Sequence, residues 1–385
     1  MQFFISCPIH FENDLAAEIT EFWPELIDLD GLPTRAPQPE FVLHKGGIEI
    51  DCELHLGLQI NFFSKVANRV LLRIFRFEAR YYDQFEKHLR QFQWLSYLNA
   101  GQPVRLKIES HKSRLNNEKN LLEAAQRSLQ SCGLTLQEES LQIIFIRLEK
   151  DRVQISLDTS GEHLHRRGYA VCRGEAPLRE TLAALVVRQL NRAAGTFSER
   201  LLIDPFAGSG TLLFEALSAH RPNLNRAYSG LQFKKCPKIF QSASWQKNYR
   251  WQQSLSTAEV IAVDLETENI RKNIETFKKT FDWQDVNMKI LQLSSAELDL
   301  TQLNPQKKPV WLIANPPYGV RLNEDDAKLI LQKLVAQAEG LVVLQPLHWR
   351  LDLKNHRVFE SQDFSNQGLQ LKLVTYVKDQ SPHLN

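Results

Sequence analysis

Apolar positions along the first 160 residues recur in short alternating and helical runs, the pattern of an α+β module. Gln2 to Cys7 alternates as a strand, Phe11 to Phe22 has helical spacing, and Gly47 to Asp51 is again a strand after the proline-rich loop Leu32 to Glu40. Helices are predicted at Leu54 to Lys65, Tyr82 to Leu95 and Asn117 to Ser131, and strands at Asn68 to Phe77 and Val104 to Ser110. Leu141 to Leu148 and Arg152 to Asp158 form a predicted hairpin about Lys150-Asp151. Beyond residue 200 the rhythm changes. Leu201-Leu202-Ile203, Val260-Ile261-Ala262-Val263, Met288 to Leu293 and Val310-Trp311-Leu312-Ile313-Ala314 are apolar runs separated by turns and helical segments, the pattern of an open α/β sheet.

Chemistry gathers at the carboxyl ends of those runs, where open α/β sheets bind ligands. The first opens into Asp204-Pro205-Phe206-Ala207-Gly208-Ser209-Gly210-Thr211, a strand, glycine turn and helix start that lets a ligand approach the backbone and the free amides of the helix. With two glycines it lacks both the third glycine of a dinucleotide fingerprint and the ending of a P-loop. The second ends at Asp264-Leu265-Glu266, where an acid can accept hydrogen bonds from ribose hydroxyls. Asp264 is the first candidate and Glu266 the second, and either also suits a helix cap or first-turn acid. The third leads into Ser294-Ser295-Ala296, and the fourth into Asn315-Pro316-Pro317-Tyr318. The double proline fixes this turn. The Asn315 oxygen and the Pro316 carbonyl can each accept one hydrogen of an NH2 group while Tyr318 stacks on its ring. The same tetrapeptide also serves as a turn whose Asn caps the next helix.

The Asn-Pro-Pro-Tyr turn looks like the motif of S-adenosylmethionine-dependent methyltransferases that act on exocyclic amines of nucleobases, and residues 204–211 resemble motif I of the class I enzymes. The stretch Ser160 to Tyr169, followed by Ala176 to Ala184, is similar to the linker between an RNA-binding THUMP domain and the catalytic domain in the bacterial 23S ribosomal RNA guanine-N2 methyltransferases. This resemblance, in a form with a single methyltransferase domain, implies an α/β fold: a class I (Rossmann-like) methyltransferase sheet preceded by an α+β ferredoxin-like/THUMP module. The implied domains are a ferredoxin-like domain at 1–53, THUMP at 54–160, and linker helix with methyltransferase at 161–385. It implies S-adenosylmethionine as cofactor, held by Asp204, Phe206, Ala207, Gly208, Ser209, Gly210, Thr211, Asp264, Leu265 and Glu266. Ser294, Ser295 and Ala296 stand where many relatives carry an aspartate to the adenine amine. Pro177 fits the first turn of a helix through Leu190 that brings Leu178 and Thr181 to the mouth of the glycine loop. Asn315, Pro316, Pro317 and Tyr318 are the implied catalytic turn.

A length of 385 residues suggests two or three domains, and 43% hydrophobic content is ample for their cores. The five scattered cysteines, Cys7, Cys52, Cys132, Cys172 and Cys236, show no pairing or metal-ligand spacing, so the reading is no metal and a reducing cytoplasm. No run of about 20 apolar residues exists to span a bilayer. A net charge of +2 says little, but Arg105, Lys107, Lys112, Arg114 and Lys119 gather locally and are read as RNA contacts, with Arg166 and Arg167 of the linker beside them. A solvated basic loop is the alternative. The expected activity is methyl transfer to a guanine N2 amine of 23S ribosomal RNA; the competing activities are a transfer-RNA guanine-N2 methyltransferase, a DNA amino-methyltransferase and a non-catalytic RNA-binding protein.

Overall fold

The computed structural model describes residues 1–172, 178–195, 200–242, 244–249, 259–317, 323–366 and 368–379. The chain forms two compact units, one of Met1–Leu164 with Arg226–Arg250, the other of His165–Asn225 with Trp251–Asn385.

The first unit holds strands β1 (Gln2–Ser6), β2 (Val42–His44), β3 (Gly47–Asp51), β4 (Arg69–Glu78), β5 (Pro103–His111), β6 (Thr135–Leu136), β7 (Ile143–Glu149) and β8 (Arg152–Asp158). They make one eight-stranded sheet in the order β2-β3-β1-β4-β8-β7-β5-β6, in which β4 pairs with β1 on one side and β8 on the other. Helices α1 (Glu12–Phe22), α2 (Leu54–Phe63), α3 (Tyr82–Gln91) and α4 (Glu118–Ser131) accompany it. Alternation along β1 sends Phe3 and Ile5 into the core, and Gly57 of α2 lies so close to the Phe3 ring that a Cβ there would sit 2.2 Å from it. The Lys150-Asp151 hairpin has φ of 52° and 63°, the left-handed turn whose twist matches paired strands. Asn117 caps α4 through the Asn120 N–H. Helix α2 ends at Phe63, two residues short of the expected Lys65, because the buried Glu18 carboxylate takes the Lys65 N–H at 2.8 Å and also bonds Val66. Helix α3 likewise stops at Gln91: Phe92 is extended and stacks on Phe75. The short strands β2 and β6 carry too few residues for a periodicity and are not anticipated by the sequence.

Residues 226–250 complete this unit. Around Phe62 gather Tyr228, Trp245 and Phe240, with ring centroids at 4.9, 5.1 and 5.9 Å. Nothing in the linear pattern assigns this segment to the N-terminal unit.

The second unit is built on β9 (Leu201–Asp204), β10 (Glu259–Asp264), β11 (Met288–Gln292), β12 (Val310–Ala314), β13 (Gly340–Pro346), β14 (His356–Asn366) and β15 (Leu369–Lys378), in the order β11-β10-β9-β12-β13-β15-β14. The five strands from β11 to β13 run parallel, and β15 enters antiparallel between β13 and β14. Strands β9, β12 and β13 are buried at every position, which is why they read as unbroken apolar runs. Helices α5 (Glu180–Ala194), α6 (Thr211–Ser218), α7 (Glu268–Thr280), α8 (Leu300–Leu303) and α9 (Glu324–Val335) complete the unit. Helix α5 begins at Glu180 with Arg179 as N-cap, three residues after the expected start; Pro177 lies outside the described residues and Leu178 precedes the helix.

Candidate active site

Four parallel strands deliver their carboxyl ends to one edge of this sheet, in the chain order expected: β9 at Asp204, β10 at Asp264, β11 before Ser294, β12 at Asn315. Asp204 is 1% exposed, and its carboxylate accepts the Phe206 N–H at 3.0 Å, turning the chain sharply out of the strand. Burial, with a smaller contribution from Asp264, pushes its pKa up to about 8. The loop beyond uses Gly208 (φ 55°) and Gly210 (φ 83°) in left-handed conformations. A side chain at Gly210 would strike the Phe214 ring at 2.8 Å, whereas the side of Gly208 faces open space. Helix α6 starts from Gly210 with no side-chain cap among the described residues, which leaves its first-turn amides available to a polar or anionic ligand group.

Asp264 does more than the sequence suggests. One carboxylate oxygen accepts the Gly208 N–H at 2.7 Å and the other the Glu266 N–H at 3.0 Å, so it shapes the glycine loop and its own turn. Leu265 (66% exposed) and Glu266 project beside it. Ser295 is committed in a similar way: its hydroxyl donates to the Pro205 carbonyl, locking the third turn to the first, while the Ser294 hydroxyl accepts the Ala296 N–H at 3.3 Å. Asn315 is half-buried at the end of β12, Pro316 is buried and Pro317 half-buried. Tyr318 lies outside the described residues. On α5, the Thr181 hydroxyl is buried and meets no partner among the described residues, an orphan polar group in the first turn of a helix packed on α6.

Sequence reasoning missed Asn273. It sits on α7, fully buried, between Ile270 and Phe277 on the apolar stripe. Its amide nitrogen donates to the Ser209 carbonyl (3.1 Å) and the Cys172 carbonyl (2.9 Å), and its oxygen accepts the Cys172 N–H (2.9 Å). An amide interrupting an otherwise apolar i, i+3, i+7 stripe was the available signal. The linker also needs a correction. Arg167, read as an RNA contact, has a side chain only 3% exposed, and its guanidinium pairs with Glu215 at 3.4 Å while the Tyr169 hydroxyl donates to the same carboxylate at 2.7 Å. An enclosed guanidinium offers nothing to a phosphate. Arg166 is exposed, as are Lys112, Arg114 and Lys119; Arg105 and Lys107 are half-buried on β5. Among the described residues no group of acids, histidines and cysteines could hold a metal, and no helix is long and apolar enough to cross a membrane.

Residues 167–342 match the family described as UPF0020: RMKL-like, methyltransferase domain. That stretch of the chain is therefore similar to an RMKL-like methyltransferase domain. The ribosomal RNA large subunit methyltransferase K/L of Marinomonas sp. (strain MWYL1) is 28% identical over 356 residues, covering 86% of this chain and 46% of that protein. The protein of the same name from Colwellia psychrerythraea (strain 34H / ATCC BAA-681) is 26% identical over 363 residues, 86% of this chain and 48% of the relative. The chain thus spans about half the length of these curated relatives. A solved structure described as a predicted N6-adenine-specific DNA methylase from Listeria monocytogenes str. 4b F2365 superposes with a TM-score of 0.76 at 19% identity, covering 98% of this chain and 96% of that one, which establishes a shared fold. All the strand-end turns described above lie inside the matched domain.

Proposed function

We propose that this protein transfers a methyl group from S-adenosylmethionine to the exocyclic N2 amine of a guanine in 23S ribosomal RNA. The observation that carries the reading is the gathering of Asp204, the glycine loop, Asp264 and Asn315 at one sheet edge within the methyltransferase domain. The names of the curated relatives support ribosomal RNA as the substrate class. The cofactor fits the residues present. Among the described residues, Gly208 opens toward free space, the α6 amides have no side-chain cap, Leu265 offers an apolar surface beside Glu266, and the Thr181 hydroxyl meets no partner. When bound, S-adenosylmethionine supplies a methyl group on a positively charged sulfur. With both Asp264 oxygens engaged by backbone amides, Glu266 is the freer acid for ribose hydroxyls, and Asp264 acts through the loop it holds.

The guanine amine is a weak nucleophile because its lone pair is delocalised into the ring. The Asn315 side-chain oxygen and the Pro316 carbonyl accept its two hydrogens, favouring a more tetrahedral nitrogen as positive charge develops. Tyr318 stacks on the base, which must first leave its helix or loop at a cost of a few kcal/mol. The N-terminal unit, read as a ferredoxin-like domain (1–53) followed by THUMP (54–160), engages RNA in the cytoplasm with Arg105, Lys107, Lys112, Arg114 and Lys119 toward phosphates, and Arg166 of the linker adds a further phosphate contact. The deciding experiment incubates the purified full chain and methyl-labelled cofactor with ribosomal RNA, transfer RNA and DNA from cells lacking the gene, then maps the product. Label on guanine N2 of 23S RNA is expected; label on transfer RNA or a DNA amine instead would replace the substrate, and saturable cofactor binding without transfer to any of them would replace the activity.

A further inference from the structure

The face of the eight-stranded sheet opposite Phe75 and Phe77, whose rings meet His88 and Phe85 of α3, carries cations in cross-strand ranks. In one rank Arg76 stands opposite Gln154, Gln154 opposite Arg147, and Arg147 beside Glu109. In the next, Arg73 faces Ser156, Ser156 faces Phe145, and Phe145 neighbours Lys107. Arg105 follows two residues before Lys107, on the same face. A register shift between Arg73 and Phe75 brings Arg76 onto this face while Phe75 turns to the helices. The aromatic rings are already cation-bound: Lys107 lies 5.5 Å and Arg69 5.7 Å from the Phe145 centroid, and Arg73 4.9 Å from that of Phe4.

Acids neutralise only part of this charge. Glu49 pairs with Arg73 at 2.9 Å, Asp158 with Arg69, and Glu149 with Arg147 at 3.2 Å. Arg76, Arg105 and Lys107 meet no carboxylate among the described residues, and Glu109 stands exposed in the first rank. The crowding has an electrostatic cost: burial first, then Arg69 and Arg105, hold the Lys107 ammonium below its ordinary pKa range, and Arg76 and Arg147 bear on Arg73 in the same sense. Like charges gathered against folding, around a half-exposed ring, suit a partner that brings both negative charge and flat π-faces.

We propose that this sheet face is a platform for single-stranded RNA, with phosphates on Arg76, Arg147 and Lys107 and a base stacked on Phe145. A base takes the place that Lys107 now holds over the ring, and the freed ammonium moves onto a phosphate. Duplex RNA offers phosphates but no open base face, so it lacks the stacking half of this recognition. The inference rests on the reading that the chain acts on RNA, and it locates contacts on the sheet beyond the Lys112 to Lys119 loop.

The test is fluorescence anisotropy of the full-length protein with a labelled oligouridylate and with a duplex RNA of equal length, across a salt series. The Arg76→Gln/Arg147→Gln double variant alters two exposed side chains and should flatten the slope of log affinity against log salt by about 1.4. Phe145→Leu, which keeps an apolar group in place, should weaken the oligouridylate roughly 5- to 150-fold at every salt with the slope unchanged. Thermal melts accompany both variants. Duplex bound as tightly as the single strand, or correctly folded variants that bind like the wild type, overturns the platform. Should the wild type and both variants bind alike while ribosomal RNA is still methylated, the platform falls and the methyl-transfer reading stands. Should the oligouridylate results hold while no RNA is methylated, the reverse follows.

Discussion

The Asp264 carboxylate holds the Gly208 N–H at 2.7 Å across the gap between the second and first strand ends. Replacing Asp264 by Ala releases Gly208 and Glu266 together, so the loop loses its fixed shape along with two charge-assisted hydrogen bonds. S-adenosylmethionine affinity should fall by roughly 1.5–3 kcal/mol, and by more than for Glu266→Ala if the loop carries most of the binding. Titration calorimetry of both variants checks the ranking; an unaltered heat for Asp264→Ala removes its loop role.

Asn315→Ala should separate chemistry from cofactor binding. Asn315 directly follows β12, where the proposed reading sets it against the base, and loss of one preorganised partner costs ~10²–10³ in rate. Single-turnover methylation should slow by that factor while cofactor affinity holds. Turnover equal to wild type would dismiss the amine-accepting role.

Asn273→Ala leaves the carbonyls of Ser209 and Cys172 and the Cys172 N–H without their buried partner, a loss of about 1–3 kcal/mol. Asn273→Asp should be worse near neutral pH, because a carboxylate would face two carbonyl oxygens where the amide donated. Urea unfolding of the two variants tests the order, and a rise in the apparent KM for the cofactor should accompany it.

Asp204 gives a pH signature. Its carboxyl, ordinarily at 3.8, is raised to about 8 by burial, so the folded chain keeps a proton that the unfolded chain releases. The stabilisation from that proton is complete below about pH 4 and is lost as pH climbs toward 8, with a slope approaching ~1.4 kcal/mol per pH unit between. Asp204→Asn should remove this dependence from cofactor-free protein. Parallel stability profiles of wild type and variant across that window would contradict it.

What the sequence carried and what it hid follow from range. β9 and β12 were legible because burial on both faces writes itself as an apolar run, and the turns after them because glycine and proline constrain the backbone wherever they stand. The β7–β8 hairpin was legible from two apolar runs meeting at the polar pair Lys150-Asp151. Asn273 was not, since its partners Cys172 and Ser209 lie 101 and 64 residues away. Arg167 next to Arg166 looks like a basic pair, and only folding brings Glu215, 48 residues on, against one of them. Residues 226–250 failed for the most distant reason: their aromatic side chains find Phe62, far upstream.

That last feature bears on how the protein is made. The N-terminal unit is interrupted in sequence: the ribosome emits α2 with Phe62 early but supplies Tyr228, Phe240 and Trp245 only after the glycine loop and α6 have been synthesised. At ~5–20 residues per second the nascent unit waits on the order of ten seconds with its aromatic face uncovered. During that interval an unfinished apolar surface is exposed while the second unit begins to form, so the two units do not mature one after the other. A fragment ending at residue 164 should bind a hydrophobic dye and unfold at a lower urea concentration than one co-expressed with residues 226–250, and a separately expressed catalytic half would carry those aromatic rings with nothing to cover them. Vectorial synthesis therefore imposes an order on this chain, in which the first unit cannot be finished until the opening part of the second has been made.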